Sequence, residues 1–160
     1  MAKVPVQFNL NGEEKAEFVD SGATLIKVLR DKLGDTSPKG GCHQGTCGAC
    51  SVMIDGELKL SCLTLAETCE GADILTNGGL SRDGVLHPLQ RAFMDEFAAQ
   101  CGFCTSGMIM AAKALLDRTP NPSREEVVEA LSGNICRCTG YEPIIRAVLT
   151  AARSNSQNAA

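Results

Sequence analysis

The sequence predicts an α+β fold: a small mixed sheet with one helix across a face, followed by a half that is entirely helical. Two tight-turn dipeptides, Asn11-Gly12 and Asp55-Gly56, each lie between short apolar segments, which is typical of β-hairpins. Residues 76–84 form a polar, glycine-containing stretch, after which apolar residues recur at helical spacing. We therefore divide the chain of 160 residues into 1–78 and 79–160.

The N-terminal half begins with a hairpin. Alternating apolar side chains mark its first strand at Val4, Val6, Phe8 and Leu10, and Ala16 and Phe18 mark its second. Thr24 is placed to cap a helix that extends to about Leu33, and Gly34 suits the left-handed residue that follows such a helix. A second hairpin over residues 52–60 and a last strand at 74–75 complete a small mixed sheet with the helix across one face.

The C-terminal half is predicted to contain four helices. Their apolar positions are Leu89, Phe93 and Phe97; Met108, Ala112 and Leu115; Val127 and Leu131; and Ile144, Ile145, Val148 and Leu149. Ser123, with Glu126 three residues later, forms a capping box for the third helix. Pro143 suits the first turn of the fourth helix. His87 precedes Pro88 at the start of the first helix and is interpreted as a surface or capping residue rather than a ligand.

Composition places the chain among ordinary globular proteins. Hydrophobic residues make up 44% and charged residues 21%, and the net charge of −4 argues against a nucleic-acid partner. The first residues lack the apolar region of a secretory signal, and no stretch approaches the ~18 apolar residues that would span a bilayer. We therefore expect a cytoplasmic chain. Because thiols stay reduced there, the clustered cysteines among the nine are interpreted as metal ligands rather than disulfides.

Three cysteines and four glycines lie within Gly40–Cys50, the segment around which the chain is organised. Cys42, Cys47 and Cys50 have the spacing C-x4-C-x2-C, and Cys62 follows. This is the plant-type spacing for a [2Fe–2S] cluster, and the glycines allow backbone N–H groups to turn toward its negative charge. A structural zinc site is the alternative, although zinc ligands usually come as two close pairs.

The remaining clustered cysteines lie at two junctions between predicted helices. Cys101-Gly-Phe-Cys104 separates the first helix from the second, and Cys136-Arg-Cys138 separates the third from the fourth. Two helix hairpins that face each other would bring the four sulfurs together, with the N-termini of two helices directed at them. Spacing alone leaves this site open between iron–sulfur and zinc, and C-x2-C by itself could be a redox dithiol.

Three segments together resemble a known family. They are Gly-Cys-x3-Thr-Cys-Gly-Ala-Cys from residue 41, Gln-Cys-Gly-Phe-Cys-Thr from residue 100 and Gly-Asn-Ile-Cys-Arg-Cys-Thr-Gly-Tyr from residue 133. In this order they are similar to the small iron–sulfur subunit of the molybdenum hydroxylases, the group of xanthine oxidase, aldehyde oxidoreductase and aerobic CO dehydrogenase. The resemblance covers about residues 3–152.

The resemblance implies a plant-ferredoxin-like β-grasp domain over residues 1–78 and a four-helix bundle that binds a second [2Fe–2S] cluster over residues 79–160. The implied ligands are Cys42, Cys47, Cys50 and Cys62 for the first cluster and Cys101, Cys104, Cys136 and Cys138 for the second. Gln100 and Cys138 would also contact the molybdopterin of a large subunit. The chain itself would then contribute no catalytic residue and would serve an oxidoreductase as its electron-transfer subunit.

The implied complex contains two further polypeptides. A large subunit would hold molybdenum and its pterin, in the cytosine dinucleotide form, and a medium subunit would hold FAD. Electrons would pass from molybdenum through the pterin and both clusters to FAD, within a dimer of three-subunit units. The alternatives are a free-standing two-cluster ferredoxin and a zinc-stapled interaction module without a redox role.

Three further residues depart from the family pattern or lie outside it. Many relatives carry an acidic residue where this chain has His43 and a proline where it has Ser106, and neither is a ligand position. His43 could replace a ligand as in Rieske centres, but the four cysteine positions are complete. Cys69 has no partner in either set and is predicted to be a buried structural thiol.

Overall fold

The computed structural model describes the backbone of residues 2–158 and the side chains of residues 2–154. Among these residues five strands form one sheet: β1 (Lys3–Leu10), β2 (Glu13–Asp20), β3 (Ser51–Ile54), β4 (Glu57–Leu60) and β5 (Asp73–Leu75). The helices are α1 (Leu25–Lys27), α2 (Pro88–Asp95), α3 (Thr105–Arg118), α4 (Arg124–Leu131) and α5 (Glu142–Asn158). Short 3₁₀ turns, Ala66–Cys69 and Asn77–Gly79, lie on either side of β5.

The sheet has the strand order β2-β1-β5-β3-β4. β1 and β2 form an antiparallel hairpin and so do β3 and β4, whereas β1 and β5 run parallel. The turn of the first hairpin places Asn11 and Gly12 at φ values of 56° and 86°, left-handed conformations that a two-residue hairpin turn requires. Asp55 and Gly56 in the second turn have similar values, 51° and 80°. The mixed sheet and both predicted hairpins are therefore confirmed.

The helix after β2 follows Thr24 and ends near Leu33, as predicted, but its conformation is irregular. α1 is regular for three residues only and continues as a wide π-helical turn, Val28–Lys32. Thr24 precedes α1 in an extended conformation, but its side chain makes no cap hydrogen bond. The N–H of Leu25 donates instead to the carbonyl of Thr64 at 2.7 Å, so a loop carbonyl takes the place of the predicted cap. Leu25 and Leu29 are fully buried in the core of the sheet half.

The helices α2 to α5 share one core. Its buried members include Leu89, Met108, Met110, Val127, Leu131, Ile144 and Val148. His87 accepts a hydrogen bond from the N–H of Leu89 at 3.2 Å in front of α2, and Ser123 accepts one from Glu126 at 3.2 Å in front of α4. Both predicted caps are therefore confirmed. No helix in residues 2–158 has both the length and the apolar character that crossing a membrane would require.

Phe97 lies outside the helix to which its spacing assigned it. α2 ends at Asp95, and Phe97 has a φ of 53° and is 84% exposed. The prediction failed because the chain reverses there and Ala98 enters the core instead. The N–H of Ala98 donates to the carbonyl of Phe93 at 2.9 Å, which closes the helix end.

Polar contacts fix the chain just before the predicted boundary, and an apolar side chain of the sheet half packs across it. The side-chain oxygen of Asn11 accepts a hydrogen bond from the N–H of Thr76 at 2.9 Å, and the Thr76 hydroxyl donates to Asp35 at 2.6 Å. Met53 of β3 is buried in the core of the helical half. The sheet half and the helical half therefore meet over packed surfaces, which fixes the cysteine loop against the helices.

Candidate metal centres

The first four predicted ligands lie on the loop before β3 and on the turn after β4. Cys42 and Cys47 are partly exposed, whereas Cys50 and Cys62 are buried. The thiol of Cys42 contacts that of Cys47, and the thiol of Cys50 contacts that of Cys62. The structure thus arranges these cysteines as two sulfur pairs.

Donors of the loop itself surround the sulfur of Cys42. The N–H groups of Gln44 and Thr46 lie 3.5 and 3.3 Å from this sulfur. The Thr46 side chain also donates to it and has the largest effect, and together these donors lower the pKa of Cys42 from 9.0 to about 5. The loop therefore stabilises a thiolate, the form that binds metal, at neutral pH.

Gly48 brings the first loop against the helical half. It has a φ of 68°, and a Cβ at this position would lie 2.6 Å from the carbonyl oxygen of Gly133, too close for any side chain. The side-chain amide of Asn134 is buried and donates to the Gly48 carbonyl at 3.0 Å. The N–H of Ile135 donates to the carbonyl of Cys47, also at 3.0 Å. The loop of the first site thus packs directly on the segment that leads into the second.

The second four predicted ligands come from two junctions between helices, as the sequence indicated. Cys101 and Cys104 precede α3, and Cys136 and Cys138 precede α5. The sulfurs of Cys101 and Cys138 are 3.6 Å apart, and the thiol of Cys104 contacts that of Cys136. Cys101 and Cys138 are exposed, whereas Cys136 is buried. These cysteines also form two sulfur pairs.

Polar side chains surround Cys136. Its N–H donates to the hydroxyl of Tyr141 at 3.0 Å, and its sulfur lies 3.0 Å from the hydroxyl and 3.5 Å from the N–H of Thr139. Burial alone would raise the pKa of Cys136, but the donors of Thr139 and the N–H of Cys138 outweigh it and lower the pKa. The Tyr141 hydroxyl in turn donates to the carbonyl of Asn134 at 3.1 Å, which fixes the loop.

Burial dominates at Cys50 and Cys104. It is the main reason that the pKa of Cys50 is raised to about 11 and that of Cys104 to about 12. Such a thiol becomes a ligand when a metal displaces its proton. Each site therefore combines one sulfur that favours the thiolate with one thiol that retains its proton, buried in Cys50 and partly buried in Cys104.

The sulfur pairs fit a dinuclear cluster. Each iron of a [2Fe–2S] cluster takes two thiolates, and two thiolates at ~2.3 Å from one tetrahedral ion lie roughly 3.8 Å apart. The 3.6 Å between the sulfurs of Cys101 and Cys138 agrees with this separation. Among the side chains described, no group of three or more His, Cys, Asp or Glu is arranged to hold a single metal ion. The eight clustered cysteines thus form four sulfur pairs, two in each site. This number matches two dinuclear clusters, in which each iron takes one pair.

Two family models match the chain. Residues 6–94 match the 2Fe-2S iron-sulfur cluster binding domain, and residues 76–149 match the [2Fe-2S] binding domain. The nicotine 6-hydroxylase small subunit of Paenarthrobacter nicotinovorans is 49% identical over 149 residues, which cover 93% of this chain and 90% of that protein. The chain belongs to the small iron–sulfur subunits of the molybdenum hydroxylases.

Further proteins are similar to the chain in sequence or in fold. The nicotinate dehydrogenase small FeS subunit of Eubacterium barkeri is 45% identical, with coverage of 92% of this chain and 94% of that protein. Quinoline 2-oxidoreductase from Pseudomonas putida 86 superposes with a TM-score of 0.93 at 43% identity, over 97% of each chain. Aldehyde oxidoreductase from Desulfovibrio gigas superposes with a TM-score of 0.92 at 44% identity, over 97% of this chain but 17% of that one.

Other residues singled out in this molybdenum hydroxylase subunit have defined surroundings. Gln100 is exposed, directly before Cys101. Cys69 is buried, as predicted, and its thiol donates to the Leu65 carbonyl at 3.6 Å. His43 is exposed at a φ of 53°.

The sequence did not reveal how three residues support the second site. Asn134, Thr139 and Tyr141 all lie in the segment that carries the family resemblance, but no spacing rule assigns them a role. The structure shows that they hold the Cys136 loop and join it to the first loop. The only indication in the sequence was that these polar side chains lie within a few residues of Cys136 and Cys138.

Proposed function

We propose that this chain relays electrons through two [2Fe–2S] clusters between the molybdopterin of a large subunit and the FAD of a medium subunit. The observation that carries the proposal is the division of eight cysteines into two sets of sulfur pairs on loops that touch. Membership in the family supports the role in an oxidoreductase. The proposed ligands are Cys42, Cys47, Cys50 and Cys62 for the first cluster and Cys101, Cys104, Cys136 and Cys138 for the second.

Each cluster has its own domain in this proposal. Residues 1–78 form a β-grasp ferredoxin domain and residues 79–160 a four-helix cluster-binding domain. Two separate hydrophobic cores support the division, one in the sheet half and one in the helical half. The two matched regions overlap over residues 76–94, and the boundary is a packed junction rather than a free linker.

The chain contributes ligands, hydrogen-bond donors and exclusion of water. When bound, each cluster accepts and releases one electron at a time. Backbone N–H groups of Gln44 and Thr46 donate to one ligand sulfur, and the Thr139 hydroxyl contacts another. Such donors stabilise added negative charge and so raise the reduction potential. Burial of Cys50 and Cys136 keeps water from part of each site.

The two ligand sets are connected by a short route within the chain. The N–H of Ile135 donates to the carbonyl of Cys47 at 3.0 Å, and Cys136 follows Ile135 directly. One hydrogen bond therefore links the backbone of a first-site ligand to that of a second-site ligand. The hydrogen bond from Asn134 to Gly48 is a second link beside it. These contacts support electron passage between the sites without intervening solvent.

Exposure supports the proposed arrangement of partners. Gln100, Cys101 and Cys138 are exposed, so this side of the second site is open to the large subunit, and we assign Gln100 and Cys138 to contacts with its molybdopterin cytosine dinucleotide. Cys42 and Cys47 are partly exposed, which leaves the first site open to the FAD subunit. The assembly we propose is a dimer of three-subunit units. The nine cysteines, none in a disulfide among the residues described, favour the cytoplasm as its compartment.

Metal analysis and spectroscopy test the proposal. The complex purified under native conditions should hold about four iron atoms per copy of this chain and, on reduction, two distinct [2Fe–2S] EPR signals. A colourless, zinc-containing chain would instead support the interaction module. An iron-loaded chain that elutes alone at 16.9 kDa would support the free-standing ferredoxin.

A further inference from the structure

The end of α2 carries an aromatic side chain that belongs neither to the core nor to the sulfur pairs. Phe97 follows the helix with a φ of 53°, and it is 84% exposed, the most exposed large hydrophobic residue that the structure describes. The left-handed region suits glycine or asparagine, and a bulky residue there is a conformational outlier. The exposure and the backbone conformation of Phe97 both need an explanation.

The neighbours of Phe97 enforce its conformation. Before it, Glu96 accepts a hydrogen bond from the Thr150 hydroxyl of α5 at 2.9 Å. After it, Ala98 is buried, and its N–H donates to the carbonyl of Phe93 at 2.9 Å. Because both flanking residues are fixed, the backbone reverses at position 97 whichever side chain stands there.

An exposed aromatic side chain at this position is unfavourable for the isolated chain on two counts. A left-handed φ brings the Cβ too close to the backbone, and the ring leaves apolar area in water. Backbone strain of this kind clusters at functional sites, where the surrounding structure maintains it. Glycine at residue 97 would avoid both effects without removing a core side chain.

The position of Phe97 identifies the face to which it belongs. It lies three residues before Gln100 and four before Cys101, and both of these residues are exposed. Met94, one turn earlier on α2, is also exposed, at 62%. Met94 and Phe97 thus lie seven and four residues before Cys101 in the chain, and the Cys101 sulfur lies 3.6 Å from that of Cys138 on the exposed side of the second site.

We propose that Phe97 is an anchor that binds the large, molybdopterin-carrying subunit, an inference that rests on the proposed function. In aldehyde oxidoreductase from Desulfovibrio gigas the region similar to this chain occupies 17% of one polypeptide, so a covalent connection holds the parts together. In the small-subunit relatives, where the iron–sulfur part is a separate chain, the interface alone must do so. Buried aromatic anchors carry much of the binding energy of such interfaces. Burial of the ring against the large subunit offsets the backbone strain.

The test compares Phe97→Gly with Phe97→Ala in the full-length, cluster-loaded subunit. Both variants lack the ring, so both should bind the purified large subunit roughly tenfold or more weakly in titration calorimetry. Only glycine relieves the left-handed strain. Phe97→Gly should therefore have a folded-to-unfolded ratio about tenfold above that of Phe97→Ala in chemical denaturation.

Phe18→Thr is the matched control. Phe18 is also an exposed phenylalanine, at 66%, but it lies on β2 in the sheet half, away from the helical junctions. Threonine is well suited to a strand, so the variant should stay folded. Its affinity for the large subunit should remain within about twofold of that of the wild-type chain, because contacts outside the anchors contribute little.

Three results would contradict the proposal that Phe97 is an anchor for the large subunit. They are unchanged affinity of both Phe97 variants for the large subunit, a loss of binding confined to the medium subunit or to self-association, and equal stability of the glycine and alanine variants. Iron content and EPR spectra of the same samples separate this inference from the proposed function. Loss of the iron from the wild-type complex contradicts the function, whereas normal iron with unchanged binding contradicts the anchor alone.

Discussion

The two cysteine sites have the same arrangement of sulfur pairs, but they differ in how far apart their cysteines lie in the sequence. Three proposed ligands of the first site lie on one loop, Gly40–Cys50, whose glycines and backbone N–H groups shape it locally. The second site takes two proposed ligands from each of two helix junctions that are more than thirty residues apart in the chain. The first site is therefore set by local sequence, and the second depends on the packing of α2 to α5.

The sites also share one electrostatic device. In each, hydrogen-bond donors lower the pKa of one sulfur, Cys42 in the first site and Cys136 in the second. Cys42 is partly exposed and receives its donors from its own loop. Cys136 is buried, and the Thr139 donors must overcome the effect of burial. Hydrogen-bond donors thus stabilise a partly exposed thiolate at the first site and a buried thiolate at the second.

The largest expected effect comes from removing one proposed ligand of the second site. Cys136→Ser in the complex should abolish or strongly perturb one of the two [2Fe–2S] EPR signals and leave the other, because the ligands of the first site are untouched. EPR of the reduced complex and iron analysis measure this. Cys69→Ala is the control and should leave the iron content intact, since Cys69 is buried beside Leu65 and belongs to neither set. Two unchanged signals in Cys136→Ser would contradict the assignment of the second site.

This contrast also explains how much the sequence could predict. The first site follows from spacing within one loop, and hairpin turns and capping boxes such as Ser123–Glu126 are local signals as well. The pairing of Cys101 with Cys138 required the correct packing of helices, which periodicity does not give. The side-chain hydrogen bond expected from Thr24 at the N-cap position and the helical assignment of Phe97 failed for a related reason. At both positions tertiary contacts, a Thr64 carbonyl and the buried Ala98, replaced the local rule.

The contact between the two sites can be broken at Gly48. Gly48→Ala should destabilise the chain by about 2 kcal/mol or more, because a Cβ there meets the Gly133 carbonyl at 2.6 Å and φ is 68°. Chemical denaturation of the full chain measures the loss. Gly71→Ala is the matched control, since its φ is 73° but nothing lies within 4 Å of an added Cβ, and it should cost about 1 kcal/mol. Equal losses of stability in Gly48→Ala and Gly71→Ala would show that the contact between Gly48 and Gly133 tolerates the added methyl group.

A hydroxyl deletion at each site sharpens the electrostatic comparison. Thr139→Val removes the hydroxyl that lies 3.0 Å from the Cys136 sulfur. A hydrogen bond that is stronger by ~1 kcal/mol to the reduced cluster than to the oxidised one corresponds to roughly 40 mV for a one-electron couple, so the potential of the second cluster should fall by up to about that amount. Thr46→Val should lower the potential of the first cluster by less, because solvent screens the exposed Cys42 loop. EPR-monitored redox titration follows both clusters, and a larger shift for Thr46→Val would reverse the comparison.

The smallest effect concerns acid, which should weaken the helical half that holds the second site. His87 accepts the N–H of Leu89 through Nδ1, and burial, followed by the charge of Lys113, lowers its pKa below 6.5. The unfolded chain then binds the proton more readily, so this contribution to stability is complete above about pH 6.5 and is lost as the pH falls through the lowered pKa. His87→Asn keeps a capping side chain but cannot titrate. Denaturation midpoints measured between pH 5 and pH 8, a range of about three units around the reference value, should therefore fall more steeply toward acid in wild type than in the variant. Parallel profiles would show that the cap is not the titrating group.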